Sequence, residues 1–267
     1  MPPKEAPKDS KKQDSKKPFG FSDVNASEKP SLVQSVFSRV AKKYDVMNDL
    51  MSMGVHRLWK QELIKMVRPH PGMNLIDMAG GTGDVAFRFL EESESFDPAV
   101  SVTICDYNPD MLKEGRRKAI NKGLLKGIDW VQCDAAKLPF EDNSFDAYTI
   151  SFGLRNVTEL KQALSEACRV LRPGGRFYCL EFSKVQSASL RKLYEFYSFQ
   201  VIPRIGGIVA KDREAYDYLV ESIERFPSQE SLADMMRECG FDHVTYRNMT
   251  DGIVAIHSGE KPAENTR

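Results

Sequence analysis

No apolar run in this 267-residue sequence approaches the ~20 consecutive residues that a helix needs to cross a bilayer. Charge of one sign is equally lacking. Thirty-eight basic residues balance thirty-eight acidic ones, so nothing in the net charge draws the chain to nucleic acid, and no nucleic-acid partner is expected. The four histidines and five cysteines show no metal-ligand spacing, and no metal is expected. Cys105, Cys133, Cys168, Cys179 and Cys239 are scattered without a C-x-x-C pair. Three of them fall in apolar, strand-like runs, so they read as reduced thiols in a reducing compartment. Arginine is absent before Arg39, which does not suit an Arg-rich transit peptide. The first seventeen residues instead carry six lysines, three acids and almost no aliphatic surface, so residues 1–30 are expected as a disordered tail.

What is present alternates between two periodicities. Residues 31–70 read as N-terminal helices that close a pocket over the main domain. Their first helix opens on a capping-box pattern, Ser31-x-x-Gln34, and carries Val33, Val36, Phe37, Val40 and Tyr44 at helical spacing. A second helix is expected over residues 55–66. From residue 71 to 258, strand-like and helix-like segments follow one another, which predicts an α/β fold with a parallel sheet covered on both faces. Asn108-Pro109 supplies a cap and first-turn proline after the second strand. A helical insertion occupies about 187–226. The last two strands, "HVTYRNM" and "GIVAIHS", are separated by too few residues for a helical crossover and should form an antiparallel hairpin. Residues 259–267 complete the chain as a C-terminal tail.

The chemistry starts at "NLIDMAGGTGDVAFRFL", a strand, a glycine turn and a helix start. Gly81, Gly83 and Ala86 fit G-x-G-x-x-A, the dinucleotide fingerprint, while Asp77, Gly81, Thr82 and Gly83 equally fit an adenosyl turn. Asp106, twenty-three residues after Gly83, is placed to accept ribose hydroxyls and suits either nucleoside. The third strand separates them. "CDAAKLPF" sets Asp134 and Ala135 at a strand C-terminus, where a carboxylate beside a small residue can accept from an adenine amino group; a cap role for Asp134 is the plainer alternative. With "LPFEDNSFDAY" and "LRPGGRF" following in order, the set resembles class I methyltransferases and implies S-adenosylmethionine.

"KYDVMNDLMSMGVHRLWK", "SFGLRNV", "RVLRPGGRFYCLEFS", "YSFQVIP" and "DGIVAIH" then resemble the ubiquinone/menaquinone-biosynthesis C-methyltransferase family, over roughly residues 37–257. The lead-in "KPFGF" resembles its eukaryotic, mitochondrial branch. The resemblance implies a Rossmann-like, seven-stranded, mainly parallel sheet. It implies SAM-dependent methylation of a ring carbon of 2-methoxy-6-polyprenyl-1,4-benzoquinol, on the matrix side of the mitochondrial inner membrane. Alternatives are a demethylmenaquinol methyltransferase or a cofactor-binding structural member of a quinone-synthesis complex. The family's cofactor contacts fall on Thr82, Asp106, Asp134, Ala135 and Ser151.

Arg155 suits phenolate stabilisation because its guanidinium keeps its charge; a surface ion pair is its plainer role. Asn156 could orient the ring hydroxyl. Tyr44, Asp45 and His56 could close the pocket, with Asp45 or His56 taking a proton, although Tyr44 also continues the apolar stripe and His56 could pair locally. Residues 188–210, with Leu190, Leu193, Tyr194 and Tyr197 on one stripe, are expected to receive the substrate's greasy tail and to give peripheral membrane contact; a subunit interface or a lid over the catalytic cleft is the plainer alternative. Expected partners also include a multi-subunit quinone-synthesis complex and a second copy of the chain in a homodimer.

Overall fold

A computed structural model describes residues 16–41, 48–49, 52–197 and 213–263 of the chain. The chain opens on a short antiparallel hairpin, β1 (Lys16–Phe19) and β2 (Ser22–Asn25), turning at Gly20 with φ +57°. This corrects the expected tail over residues 1–30: from Lys16 onward the chain forms structure, because Phe19 finds an aromatic partner in a distant helix. Helix α1 (Lys29–Val40) follows. The capping box does not form. The helix starts earlier than the pattern implied, with Pro30 in its first turn, and Ser31 Oγ donates to the Glu28 carbonyl at 2.8 Å. Helix α2 (His56–Val67) lies close to the expected second helix and buries Trp59, Leu63, Ile64 and Val67.

The sheet then builds in sequence: β3 (Asn74–Met78), α3 (Asp84–Glu92), β4 (Ser101–Asp106), α4 (Pro109–Lys122), β5 (Ile128–Gln132), β6 (Phe145–Ser151), α5 (Leu160–Val170) and β7 (Leu171–Phe182). Helices α6 (Ala188–Phe196), α7 (Arg213–Arg225) and α8 (Gln229–Glu238) precede the closing strands β8 (Asp242–Met249) and β9 (Val254–Glu260). The seven strands lie in the order β5-β4-β3-β6-β7-β9-β8. The first five are mutually parallel, β9 runs antiparallel to β7, and β8 antiparallel to β9, as the short final connection requires.

Alternation along the strands divides the core. In β3, Leu75 packs into one apolar cluster with α2, α3 and α7, while Ile76 packs into the other with α5 and α8. A sheet covered on both faces demands the near-continuous apolar runs seen in β3 and β4. Chain order reverses at β3 and β6, so the C-terminal ends of these neighbours splay apart and open a crevice. Helix α4 begins at that edge as expected: Asn108 Oδ1 accepts from the Asp110 and Met111 amides, and Pro109 occupies the first turn.

Of the stripe in residues 188–210, Leu190, Tyr194 and Tyr197 are only partly exposed and pack on the first core cluster. Residues 198–210 of that stretch lie outside the described residues. No helix among the described residues is long and apolar enough to cross a membrane.

Candidate active site

Four strand ends converge on one cleft. Met78 and Ala79 come from the end of β3, Asp106, Tyr107 and Asn108 from β4, Asp134 and Ala135 from beyond β5, and Ile150, Phe152 and Gly153 from β6. Asn156, Val157 and Thr158 extend one wall, and Pro30, Val33, Gln34 and Phe37 of α1 form the opposite one.

The floor is made by strained backbone. Ala79 and Phe152 both adopt left-handed conformations, at φ +52° and +55°. Such conformations cost of order 1–3 kcal/mol each and concentrate at binding sites. Between them, Gly153 leaves room that no side chain could take, since a Cβ there would lie 2.3 Å from that of Ala79. The glycine loop needs the same licence: Gly81 and Gly83 have φ of +55° and +86°.

Asp106 is held where a ribose would need it. One carboxylate oxygen accepts from the Gly81 amide at 2.9 Å, the other from the Asn108 amide at 2.8 Å. Each oxygen can accept a second bond, which leaves the cleft-facing capacity for two hydroxyls. Burial pushes this carboxyl up to about 6, against the backbone N–H groups of Asn108, Gly81 and Tyr107, which favour its ionised form. Asp134 Oδ1 caps the Ala136 amide at 2.9 Å, and buried Ala135 leaves space beside it. Asp134 therefore serves its turn and still lines the cleft.

Asn156 also reaches the cleft, and its Oδ1 accepts from the Tyr218 hydroxyl at 2.9 Å. Its neighbour does not. Arg155 lines a different groove, behind the cleft wall, and its Nη1 pairs with Glu181 Oε1 at 2.8 Å, with both side chains almost fully buried. The same guanidinium group donates to the Phe152 carbonyl and to Ser222, and lies over the Phe182 ring. Burial raises the Glu181 carboxyl, opposed first by the Arg155 charge. Arg155 is thus not a surface pair: it anchors the loop after β6 from within, behind the cleft wall.

The remaining expected residues divide between two places. Asp77 lies beneath the glycine turn and not on the cleft surface; its Oδ1 accepts from Thr149 at 2.8 Å, while Oδ2 is buried without a protein partner. Burial pushes its carboxyl up to about 7, with Thr149, Lys60 and the Ala86 amide opposing. Ser151, expected at the cofactor, lies between two cleft-lining residues without lining the cleft itself, as strand alternation dictates. Thr82 and His56 line a separate polar groove with Asp84 and Lys118. There Thr82 Oγ1 accepts from Lys118 at 3.1 Å, and His56 Nε2 meets Asp49 at 2.9 Å. Burial, then the charge of Lys60, lowers the His56 imidazole, which suits local pairing better than the expected proton transfer in the cleft. Tyr44 and Asp45 lie outside the described residues.

Two residues escaped the sequence reading. The sequence shows Asn108 only as a cap, yet its Nδ2 also donates to the Gln34 carbonyl and to Ser38, tying α1 to the cleft. Tyr107 stands at the mouth, and an aromatic directly after the strand-end acid was the signal for it. Among the described residues, no cluster of three or more histidines, cysteines or acids could hold a metal ion.

The residue set on the cleft fits an adenosyl ligand: one carboxylate with spare acceptors, a second beside a small residue, and a floor stripped of side chains. Comparison with known proteins agrees. A SAM-dependent methyltransferase from Thermotoga maritima, described as a possible histamine N-methyltransferase, has the same fold, with a TM-score of 0.59 at 20% identity over 85% of this chain and 98% of that one. The mitochondrial 2-methoxy-6-polyprenyl-1,4-benzoquinol methylase of Mus musculus is 51% identical, covering 91% of this chain and 84% of its own length. The ubiquinone/menaquinone biosynthesis C-methyltransferase UbiE of Brucella abortus (strain S19) is 54% identical over 91% of this chain and 90% of its own. The model of the ubiE/COQ5 methyltransferase family matches residues 23–261, and the chain belongs to that family.

Proposed function

We propose that the chain methylates a ring carbon of a 2-methoxy-6-polyprenyl-1,4-benzoquinol, using S-adenosylmethionine, in ubiquinone biosynthesis. The observation that carries this reading is the convergence of Asp106, Asp134, Ala135 and Asn156 on one cleft, in a chain whose relatives act in quinone synthesis. When bound, S-adenosylmethionine supplies an electrophilic methyl group on a sulfonium.

The chain's own residues then have distinct tasks. Asp106 accepts the ribose hydroxyls, and Asp134 with Ala135 receives the adenine edge. The Tyr218 bond occupies Asn156 Oδ1 and directs Nδ2 to donate to a ring oxygen of the quinol. Carbon is a weak nucleophile until the phenolic proton departs, so a donor at the developing phenolate lowers the barrier. The apolar wall of Val33 and Phe37 excludes water from the reacting face, and α1 closes the pocket. The ring C–H proton leaves after the new carbon–carbon bond has formed.

Demethylmenaquinol is the second candidate substrate, favoured by the Brucella relative, whose name includes menaquinone. Supplying each quinol with methyl-labelled donor separates the two readings. We also propose a mitochondrial location on the matrix side of the inner membrane, in a multi-subunit quinone-synthesis complex or a homodimer with peripheral membrane contact. An insoluble polyprenyl tail requires access to a bilayer. Flotation with liposomes that resemble the inner membrane tests this, and a chain left wholly in the aqueous fraction would refute it.

A further inference from the structure

Helix α7 touches the cleft wall through two side chains one turn apart. Tyr218 donates to Asn156 Oδ1 at 2.9 Å, and Ser222 Oγ accepts from Arg155 Nε at 3.3 Å. Four residues apart on a helix, these two groups share one face, so a single rigid element holds consecutive residues of the loop after β6. Ser222 in turn donates to the Leu219 carbonyl at 2.8 Å, which fixes its hydroxyl. Tyr218 is itself 5% exposed, and burial raises its phenol further above the physiological range, so it remains a neutral donor.

The same face of the helix is strapped by the N-terminal hairpin. Phe19 of the N-terminal hairpin stacks on the Tyr218 ring, with centroids 4.5 Å apart and planes inclined by 27°. The Phe21 amide donates to Glu221 at 2.8 Å, and Arg225 pairs with Asp23 at 2.7 Å while also donating to the Phe21 carbonyl. Gly20 suits the turn, whose φ of +57° lies in the left-handed region that favours glycine. These contacts thus hold the hairpin against the two turns of the helix from Tyr218 to Arg225.

We propose that Tyr218 is a positioning residue for methyl transfer, fixing the Asn156 amide so that its NH₂ end faces the cleft, with the hairpin of residues 16–25 holding Tyr218 in place. The inference rests on the functional reading above. An unfixed primary amide samples both orientations, and one of them aims a carbonyl oxygen at the developing phenolate, where it repels. Fixing the amide therefore acts on turnover more than on cofactor binding.

Tyr218→Phe keeps the ring and its stacking on Phe19 and removes only the hydroxyl. We expect kcat to fall about tenfold, with the S-adenosylmethionine Kd within twofold of wild type by calorimetry. In the ligand-free protein, the side-chain amide resonances of Asn156 should shift in Tyr218→Phe. Asn156→Ala should lower kcat by itself, and adding Tyr218→Phe should then cost nothing more. Phe19→Ala, which loosens the strap but leaves the hydroxyl, should show a smaller fall in kcat. Wild-type kcat in Tyr218→Phe, unmoved Asn156 resonances, or additive losses in the double variant would each overturn the proposal. A wild-type protein that binds S-adenosylmethionine but methylates neither quinol would instead overturn the functional reading, and this inference with it.

Discussion

Replacing Arg155 by methionine should destabilise the fold. The Arg155 and Glu181 side chains are 3% and 1% exposed, so neither charge can turn to water when its partner is lost. Removing one member of such a pair typically costs about 3–5 kcal/mol, because the survivor stays buried and unpaired. At ~2–4 °C per kcal/mol for a domain of this size, the melting temperature should drop by about 10 °C. The Phe152 carbonyl and Ser222 hydroxyl lose their donor as well, so the loop carrying Asn156 loosens and turnover falls in parallel. Adding Glu181→Leu removes the stranded carboxylate and should restore more than half of the lost stability. Recovery stays partial, because the Phe182 and Arg155 amides lose an acceptor. Scanning calorimetry on wild type, both single variants and the double variant reads this directly. A single Arg155→Met variant that melts within 2 °C of wild type but has lost turnover a hundredfold would refute the reasoning. The arginine would then act on the substrate, as its sequence context first implied.

Two further perturbations address the carboxylates. Asp106→Ala removes two charge-assisted hydrogen bonds to ribose, each worth roughly 1.5–3 kcal/mol, so S-adenosylmethionine affinity should fall at least tenfold with the fold intact; near-normal binding would mean that another group holds the ribose. Ribose hydroxyls need the ionised form of Asp106, whose carboxyl lies at about 6, so affinity in the wild type should weaken as pH falls from 7 to 5. Asp77 tests stability. Its folded carboxyl, raised to about 7, keeps a proton that the unfolded chain has already lost, so stability declines as pH rises through roughly 4 to 7, by at most about 4 kcal/mol. Asp77→Asn should flatten that slope and melt higher than wild type at pH 8, with the gain gone near pH 4; an equal effect at both pH values would contradict the assigned proton.

The sheet and its switch point were legible because apolar runs, glycine turns and strand-end acids are local signals. Asp106, Asp134 and Ala135 fall on the cleft for the same reason: each lies at or shortly beyond the C-terminal end of a parallel strand, and the fold gathers those ends. Asn108-Pro109 capped α4 as its own chemistry dictates. What the sequence could not convey was direction. Arg155 faces inward because Phe152 turns the chain at φ +55° and because Glu181, twenty-six residues later, waits behind the wall. Ser151 follows from the family resemblance alone, and alternation along β6 gives the lining to its neighbours. The capping box failed because Pro30 started α1 earlier than Ser31. Tyr218 and Asn156 are sixty-two residues apart, and no periodicity joins them. The N-terminal hairpin is hidden by its composition, since Phe19, Phe21 and Val24 are its only aromatic or aliphatic residues and it adjoins a lysine-rich stretch.

The central claim is a ring-carbon methylation performed in the cleft lined by Asp106 and Asn156. Its most direct test incubates the protein with S-adenosylmethionine bearing a ¹³C-methyl group and a short-tailed 2-methoxy-6-prenyl-1,4-benzoquinol under reducing conditions, then reads the product by NMR. The wild type should give a new aryl-methyl carbon signal, strongly diminished in Asp106→Ala and in Asn156→Ala. A methoxy carbon signal in place of the aryl-methyl one, or label transfer undiminished by both substitutions, would contradict it.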